Sequence, residues 1–227
     1  LFKGSATYIA QDIRRAIFEE LNLTASAGIA PCKFLAKIAS DENKPNGQYV
    51  IVPAQVSEFI RMLPLKKIPG VGKVAQQKLA LKGLFTCKDI QEYRPELLLA
   101  EFGKLGESLI NFSQGIDNRI VEPNRERKSL AVEHTFEQDL FSEAQCLEKI
   151  DQLYQELNIR LEKVLNEKVI TRVGVKIKFG DFTLKTTERK SAELSLPILK
   201  ILLHHLLVHN PDKTVRLLGI SVGLEKR

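Results

Sequence analysis

The sequence predicts a multidomain α+β protein, and three patterns carry that expectation. Residues 129–222 read as strand, helix, strand, strand, helix, strand. Residues 53–118 show helical periodicity alone, broken by two glycine turns, and residues 5–52 read as a short helix-strand-helix-strand run. At 227 residues the chain has room for two or three small domains.

The first run begins with Ile9, Ile13, Ile17 and Leu21, spaced by four on one face of a helix from Ser5 to Leu21. Leu23 to Ile29 is short and rich in Thr, Ala and Gly, a buried strand by pattern. Pro31 opens a helix through Ser40 with Phe34, Leu35 and Ile38 inward. Asn43-Lys44-Pro45-Asn46-Gly47 is a turn feeding a strand at Gln48–Val52. Two strands do not make a balanced sheet, so this α/β unit is expected to have further strands upstream. Leu1-Phe2-Lys3-Gly4 does not read as a natural start, and the chain is expected to be a piece of something longer.

Helices are expected at Ala54–Met62, Val74–Leu81, Thr86–Gln91, Pro95–Glu101 and through Phe112. Spanning the gap between the first two and the start of the second, Lys66-Lys67-Ile68-Pro69-Gly70-Val71-Gly72-Lys73-Val74-Ala75-Gln76 reads as a helix-hairpin-helix. Pro69 stops a helix, while Gly70 and Gly72 allow a tight turn with exposed N–H groups. Together with Lys73 and the next helix N-terminus they form a phosphate-sized anion site. Plain helix-turn-helix geometry gives the same Pro-Gly-x-Gly string; lysines on both sides favour nucleic acid. Phe102-Gly103-Lys104-Leu105-Gly106 is a second such turn and makes a weak internal repeat.

Glu122 to Lys128 has almost no apolar content and reads as an exposed, positively biased tether. Beyond it, strands are expected at Ser129–Thr135, Val169–Phe179, Phe182–Lys190 and Thr214–Val222, with helices at Glu143–Leu165 and Ile198–Val208. This β-α-β-β-α-β order gives a four-stranded antiparallel sheet with both helices on one face. Alternation places Val169, Thr171, Val173, Val175, Ile177 and Phe179 under the helices, and Ile170, Arg172, Gly174, Lys176 and Lys178 on the open face. The next strand alternates Thr183, Lys185, Thr187 and Arg189 with Phe182, Leu184 and Thr186. Hydroxyls among basic residues suit a phosphodiester track, and an ordinary solvated sheet face fits the same pattern. The open face lacks aromatics, which favours duplex backbone over stacked single strands.

Composition bounds the rest. The balance of 34 basic to 28 acidic residues, a formal +6, supports a polyanion partner only alongside a motif. No apolar run is long enough for a membrane span, and no signal peptide leads the chain. Cys32, Cys87 and Cys146 are far apart and suit free thiols in a reducing cytoplasm, and the adjacent His204 and His205 lie on a Leu-rich helix. Asp41 and Glu42 are adjacent near a helix end and diverge, a poor basis for a two-metal site. Lys44, in a turn rigidified by Pro45, is a candidate anion ligand or a solvated surface lysine.

These residues carry a family resemblance. Ala25-Ser26-Ala27-Gly28-Ile29-Ala30-Pro31-Cys32-Lys33-Phe34-Leu35-Ala36-Lys37-Ile38-Ala39-Ser40-Asp41 with Asn43-Lys44-Pro45-Asn46-Gly47-Gln48 resembles the late palm of Y-family DNA polymerases, in particular their bacterial DNA polymerase IV (DinB) branch. The likeness continues through Ile68–Lys73, Phe112-Ser113-Gln114-Gly115-Ile116-Asp117 and Arg127-Lys128-Ser129. It implies a partial palm at 1–52, a thumb at 53–118, a linker at 119–127 and a little finger at 128–227. It further implies Lys44 near the triphosphate of the incoming nucleotide, and primer-template DNA gripped by Gly70, Gly72 and Lys73. The remaining expected DNA contacts are Arg127, Lys128, Arg172, Lys176, Lys178, Lys185 and Arg189.

Family catalysis is translesion nucleotidyl transfer with two Mg²⁺ held by three carboxylates. The resemblance places one carboxylate near the protein's N-terminus and the other two in a Ser-Leu-Asp-Glu segment just before Leu1; none is in this sequence. The expectation is therefore a polymerase parent and a chain that binds duplex DNA through residues 66–73 and 168–190 without catalysing. Sliding-clamp docking through a C-terminal tail beyond Arg227 is expected of the parent, and a dimer through the exposed palm edge is open to this chain. The alternative is a non-enzymatic helix-hairpin-helix DNA-binding protein. A nuclease needs a carboxylate-lysine cluster that the sequence does not offer.

Overall fold

A computed structural model describes residues 4–227. The reading of Leu1-Phe2-Lys3 lies outside the described residues. The chain divides into two compact units, one up to Pro123 and one from Asn124 to Arg227.

In the first unit α1 (Ala6–Leu21) is followed by β1 (Ala27–Ile29), α2 (Lys33–Glu42) and β2 (Gln48–Val50). β1 and β2 pair in parallel, Gly28 opposite Tyr49. β1 is shorter than expected because Leu23 to Ser26 find no partner strand among the described residues. Gly28 is required where α2 crosses the strand, since a Cβ there would run into the α2 backbone at Ala36 and Ser40. The α1 helix forms as its spacing demands, but a two-stranded sheet is too narrow to cover its stripe. Ile9, Ile13 and Leu21 stay 41%, 55% and 62% exposed.

Next come a 3-10 turn at Pro53–Gln55, α3 (Val56–Arg61), a second 3-10 turn at Leu65–Lys67, α4 (Lys73–Ala80), α5 (Cys87–Glu92), α6 (Pro95–Phe102) and α7 (Lys104–Ser113). One hydrophobic cluster runs from Phe34, Leu35 and Ile38 of α2 through Ile60, Leu65, Leu79 and Ile90 to Leu109 and Phe112. Phe34 and Phe112 stack with centroids 4.4 Å apart. The N-terminus of α2 has no local side-chain cap; Asp117 supplies one from far along the chain, accepting the Phe34 N–H at 2.9 Å. Arg119 clamps the same carboxylate at 2.7 and 2.8 Å. With the Arg119 guanidinium beside it and backbone N–H donors on it, Asp117 is pulled down to about 2.

The second unit holds β3 (Ser129–Leu140), α8 (Glu143–Glu162), β4 (Lys168–Phe179), β5 (Leu184–Lys190), α9 (Leu196–Val208) and β6 (Val215–Lys226). The strands form one antiparallel sheet in the order β3-β6-β4-β5, as the split-βαβ pattern predicts. Ile150, Leu153 and Leu157 of α8 and Leu199 and Leu203 of α9 pack on Val173, Val175, Ile177, Leu218 and Ile220.

Strict alternation fails at one place in β4. Ile170 pairs with Leu224 and Arg172 with Gly223, leaving Thr171 as a one-residue bulge. Below the bulge the faces are exchanged relative to the expectation: Ile170 is in the core at 7% exposure, and Val169 is turned out at 37%. β5 begins at Leu184 rather than Phe182, because Phe182 adopts a left-handed φ of +63° in the turn.

Candidate nucleic-acid interface

The hairpin is held to the core by Ile68 and Val71, both buried, with the Val71 N–H bonded to the Ile68 carbonyl at 3.1 Å. Between them the chain reverses through Gly70, whose φ of +95° excludes a side chain without strain. Leu105, from the second glycine turn, stands 3.6 Å from where a Gly70 Cβ would lie, so the two half-motifs brace each other. Gly72 differs. Its φ is −80°, and a Cβ there would meet nothing within 4 Å. Nothing in the fold requires glycine at 72; what its bare backbone provides is access. Gly72 is the N-cap of α4 with no side-chain cap, so the first-turn N–H groups of that helix lack acceptors. Lys73 and Val74 beside it are exposed. Among the described residues neither Lys66 nor Lys73 has an ion-pair partner, which leaves this helix start electropositive.

Lys44 sits in a turn locked by Arg14 of α1. The Arg14 guanidinium donates to the carbonyls of Ala25 at 2.9 Å and Asn46 at 2.6 Å, and to the side chains of Asn46 and Gln48. The Lys44 ammonium is paired with Asp41 at 2.5 Å, and Lys37 takes the other Asp41 oxygen at 2.9 Å. Lys44 and Lys37 together hold Asp41 down at about 2. The neighbouring Glu42 pairs with Lys67 at 2.6 Å. The adjacent acids thus serve different lysines.

In the second unit, sheet register sorts the expected contacts. Arg172, Lys176 and Lys178 share the open face with Glu133, Thr186 and Glu188. Lys185 stands opposite Ile177 and Arg189 opposite Val173, so these two belong to the helix-side face at the sheet edge. The sheet does not gather all five cations onto one surface. The open face is also flatter and more neutral than the sequence indicated. Gly174, Gly219 and Gly223 remove side chains from its middle, and charged neighbours lie across the gaps. Arg172 leans over Gly223 and pairs with Glu188 at 3.1 Å; Lys176 passes Gly219 to reach Glu133 at 2.6 Å.

Arg127 and Lys128 precede β3. Lys128 is fixed by its carbonyl, which accepts the Leu224 N–H at 2.9 Å. Arg127 lines a basic cavity of about 560 Å³ with Arg125, Lys163 and Lys226, where the buried Lys168 meets Glu126. The linker expected at 119–127 is exposed along its length, with Arg119 paired to Asp117 and Glu126 to Lys168.

Sequence reasoning missed Arg14, Asp117, Lys168, Glu133, Glu188 and Phe182. Glu133, Glu188 and the glycines were legible in principle, because period-2 pairing of the strands puts them in register with the basic residues. Gly180-Asp181 marked the turn that lifts Phe182 out of β5. Asp117 carries no local signal, since its partner helix begins far upstream. The thiols of Cys87 and Cys146 are pushed up by burial to about 12 and about 11, which makes them packing residues.

The donor set does not fit a two-Mg²⁺ site. Among the described residues no group of three or more His, Cys, Asp or Glu converges to hold a metal, and Asp41 and Glu42 are each committed to lysines. Among the described residues no helix is long and apolar enough to cross a membrane.

Comparison with known proteins gives three family matches. Residues 2–41 match the impB/mucB/samB family, residues 66–117 the thumb domain of DNA polymerase-iota, and residues 127–224 the impB/mucB/samB family C-terminal domain. DNA polymerase IV of Shewanella baltica is 53% identical over 223 residues, covering 98% of this chain and 62% of that protein. DNA polymerase IV of Vibrio vulnificus is 52% identical, covering 98% and 63%. Among solved structures, a Y-family DNA polymerase chimera superposes with a TM-score of 0.73 at 27% identity, over 95% of this chain and 63% of that one. An insertion ternary complex of Dbh DNA polymerase gives 0.57 at 25% identity over the same shares. The chain spans about 62% of the length of such relatives.

Proposed function

Since the chain is a Y-family DNA polymerase homologue of the DNA polymerase IV type, we propose that it is the DNA-holding part of a translesion polymerase. On this reading residues 1–52 are a partial palm, 53–118 the thumb, 119–127 the linker and 128–227 the little finger. The thumb hairpin grips duplex backbone through N–H groups and Lys73, and the open sheet face adds phosphate contacts through Arg172, Lys176 and Lys178. Arg127, Lys128, Lys185 and Arg189 lie on separate surfaces and contribute long-range attraction. Lys44, held ready by Asp41, is the ligand for an incoming nucleotide's triphosphate. On the same reading the whole polymerase transfers nucleotides with Mg²⁺ in the cytoplasm and docks a sliding clamp, and the described residues supply no ligand set for that metal. On its own this chain leaves the β1–β2 edge open, and that edge is the surface through which it could dimerise.

The observation that carries this reading is Gly72: a glycine the fold does not need, at an uncapped helix start flanked by unpaired lysines. The test is blunt duplex binding by fluorescence anisotropy across a salt series. Charge-neutral variants of Arg172, Lys176 and Lys178 should weaken binding without sequence preference and lower the salt slope by about one for each phosphate no longer neutralised. Neutralising Lys185 and Arg189 should cost less, because they face the other way. Equal losses from both sets, or no low-salt binding at all, count against the assignment, and the latter makes a protein-binding scaffold the better reading.

A further inference from the structure

At the tip of the β4–β5 hairpin the backbone adopts a conformation that bulky residues avoid. Phe182 is held at a φ of +63°. Its N–H bonds the Phe179 carbonyl at 2.9 Å, the Thr183 N–H bonds Asp181 at 2.8 Å, and Lys213 pins Asp181 at 2.8 Å. Several contacts thus enforce a turn whose outcome is an aromatic ring 60% exposed to solvent. Two cations lie over its ring, Lys178 Nζ at 4.8 Å and Arg216 Cζ at 5.1 Å from the centroid. Elsewhere on the open face Arg172 and Lys176 are each answered by a carboxylate. Lys178 and Arg216 have no acidic partner among the described residues, so at this end of the face uncompensated charge surrounds the exposed aromatic.

We propose that Phe182, Lys178 and Arg216 form a stacking site for one unpaired nucleotide of single-stranded DNA. The base lies on the ring, and the phosphates on either side take the two cations. Once the adjoining phosphates draw the two cations off the ring, its aromatic face suits any base. An acidic peptide would satisfy the cations and gain nothing from the ring. The proposal rests on the reading of this sheet as DNA-facing and adds a single-stranded element to it.

The chain contains no Trp, so Phe182→Trp introduces a single indole as reporter. Titration with oligo-dT at low salt should quench its emission to saturation, while polyglutamate should not. Phe182→Ala should weaken oligo-dT binding about tenfold and leave blunt-duplex affinity within about twofold; Phe182→Tyr should restore it. No quenching at saturating oligo-dT, an equal loss of duplex affinity in Phe182→Ala, or polyglutamate matching oligo-dT in quenching and affinity would each overturn the site. Neutralising Arg172 and Lys176 tests the duplex reading separately, since neither residue touches the ring. A native circular-dichroism spectrum for each variant secures the comparison.

Discussion

Gly70 and Gly72 stand two residues apart and answer to different demands. At Gly70 the left-handed φ is a folding requirement, so Gly70→Ala should cost about 1–2 kcal/mol of stability. At Gly72 the backbone is ordinary and the space around it open, so Gly72→Ala should leave the urea midpoint unchanged. It should nonetheless weaken duplex binding several-fold, by holding a phosphate away from the N–H groups of α4. A Gly72→Ala variant that loses stability and keeps its affinity would move this glycine from binding to folding. The sequence placed both glycines in one turn and could not tell them apart; that distinction lives in φ and in the emptiness around a missing Cβ. Lys44 shows the same limit. Its turn was readable from Pro45 and Gly47, whereas its pairing with Asp41 depends on how α2 ends.

At the scale of the element, the second sheet was readable from alternation wherever the ladder is regular. From Val173 to Phe179 the core and open faces fall where the pattern puts them. Charge did not follow so simply. Glu133 on β3 and Glu188 on β5 reach the basic residues of β4 only through strand pairing, across glycines that leave the way clear. Such exposed pairs add little to stability, but a carboxylate at each cation must be pushed aside when a phosphate arrives. Replacing Glu133 and Glu188 together with Gln should therefore raise duplex affinity, by about tenfold at low salt, with thermal stability nearly unchanged. Anisotropy showing unchanged or weaker binding would mean that these carboxylates do not compete with phosphate.

For the whole molecule, the expected palm piece and thumb share one core in the first unit, joined by the Phe34–Phe112 stack and the Asp117 clamp on α2. Local periodicity predicted the helices of both pieces; the contacts that join them span most of the unit and had no local trace. Because no carboxylates converge among the described residues, these 227 residues by themselves should not extend a primer with Mg²⁺ and all four nucleotides. Extension intrinsic to this chain and abolished by chelation would refute that.

The extra residue in β4 bears on how this chain tolerates changes in length. Thr171 has no counterpart on β6, while Ile170 and Arg172 keep theirs in Leu224 and Gly223. Loss of one residue from a central strand ordinarily inverts everything beyond it, sending core groups into water and charges inward. Here the surplus position is already out of phase, so removing Thr171 would bring the halves of the strand into a single alternation with every flanking side chain on its present face. The bulge is a slot in which a deletion is silent for the inside and outside of the sheet. It alters only the bend of the strand, and with it the angle at which Arg172 is presented.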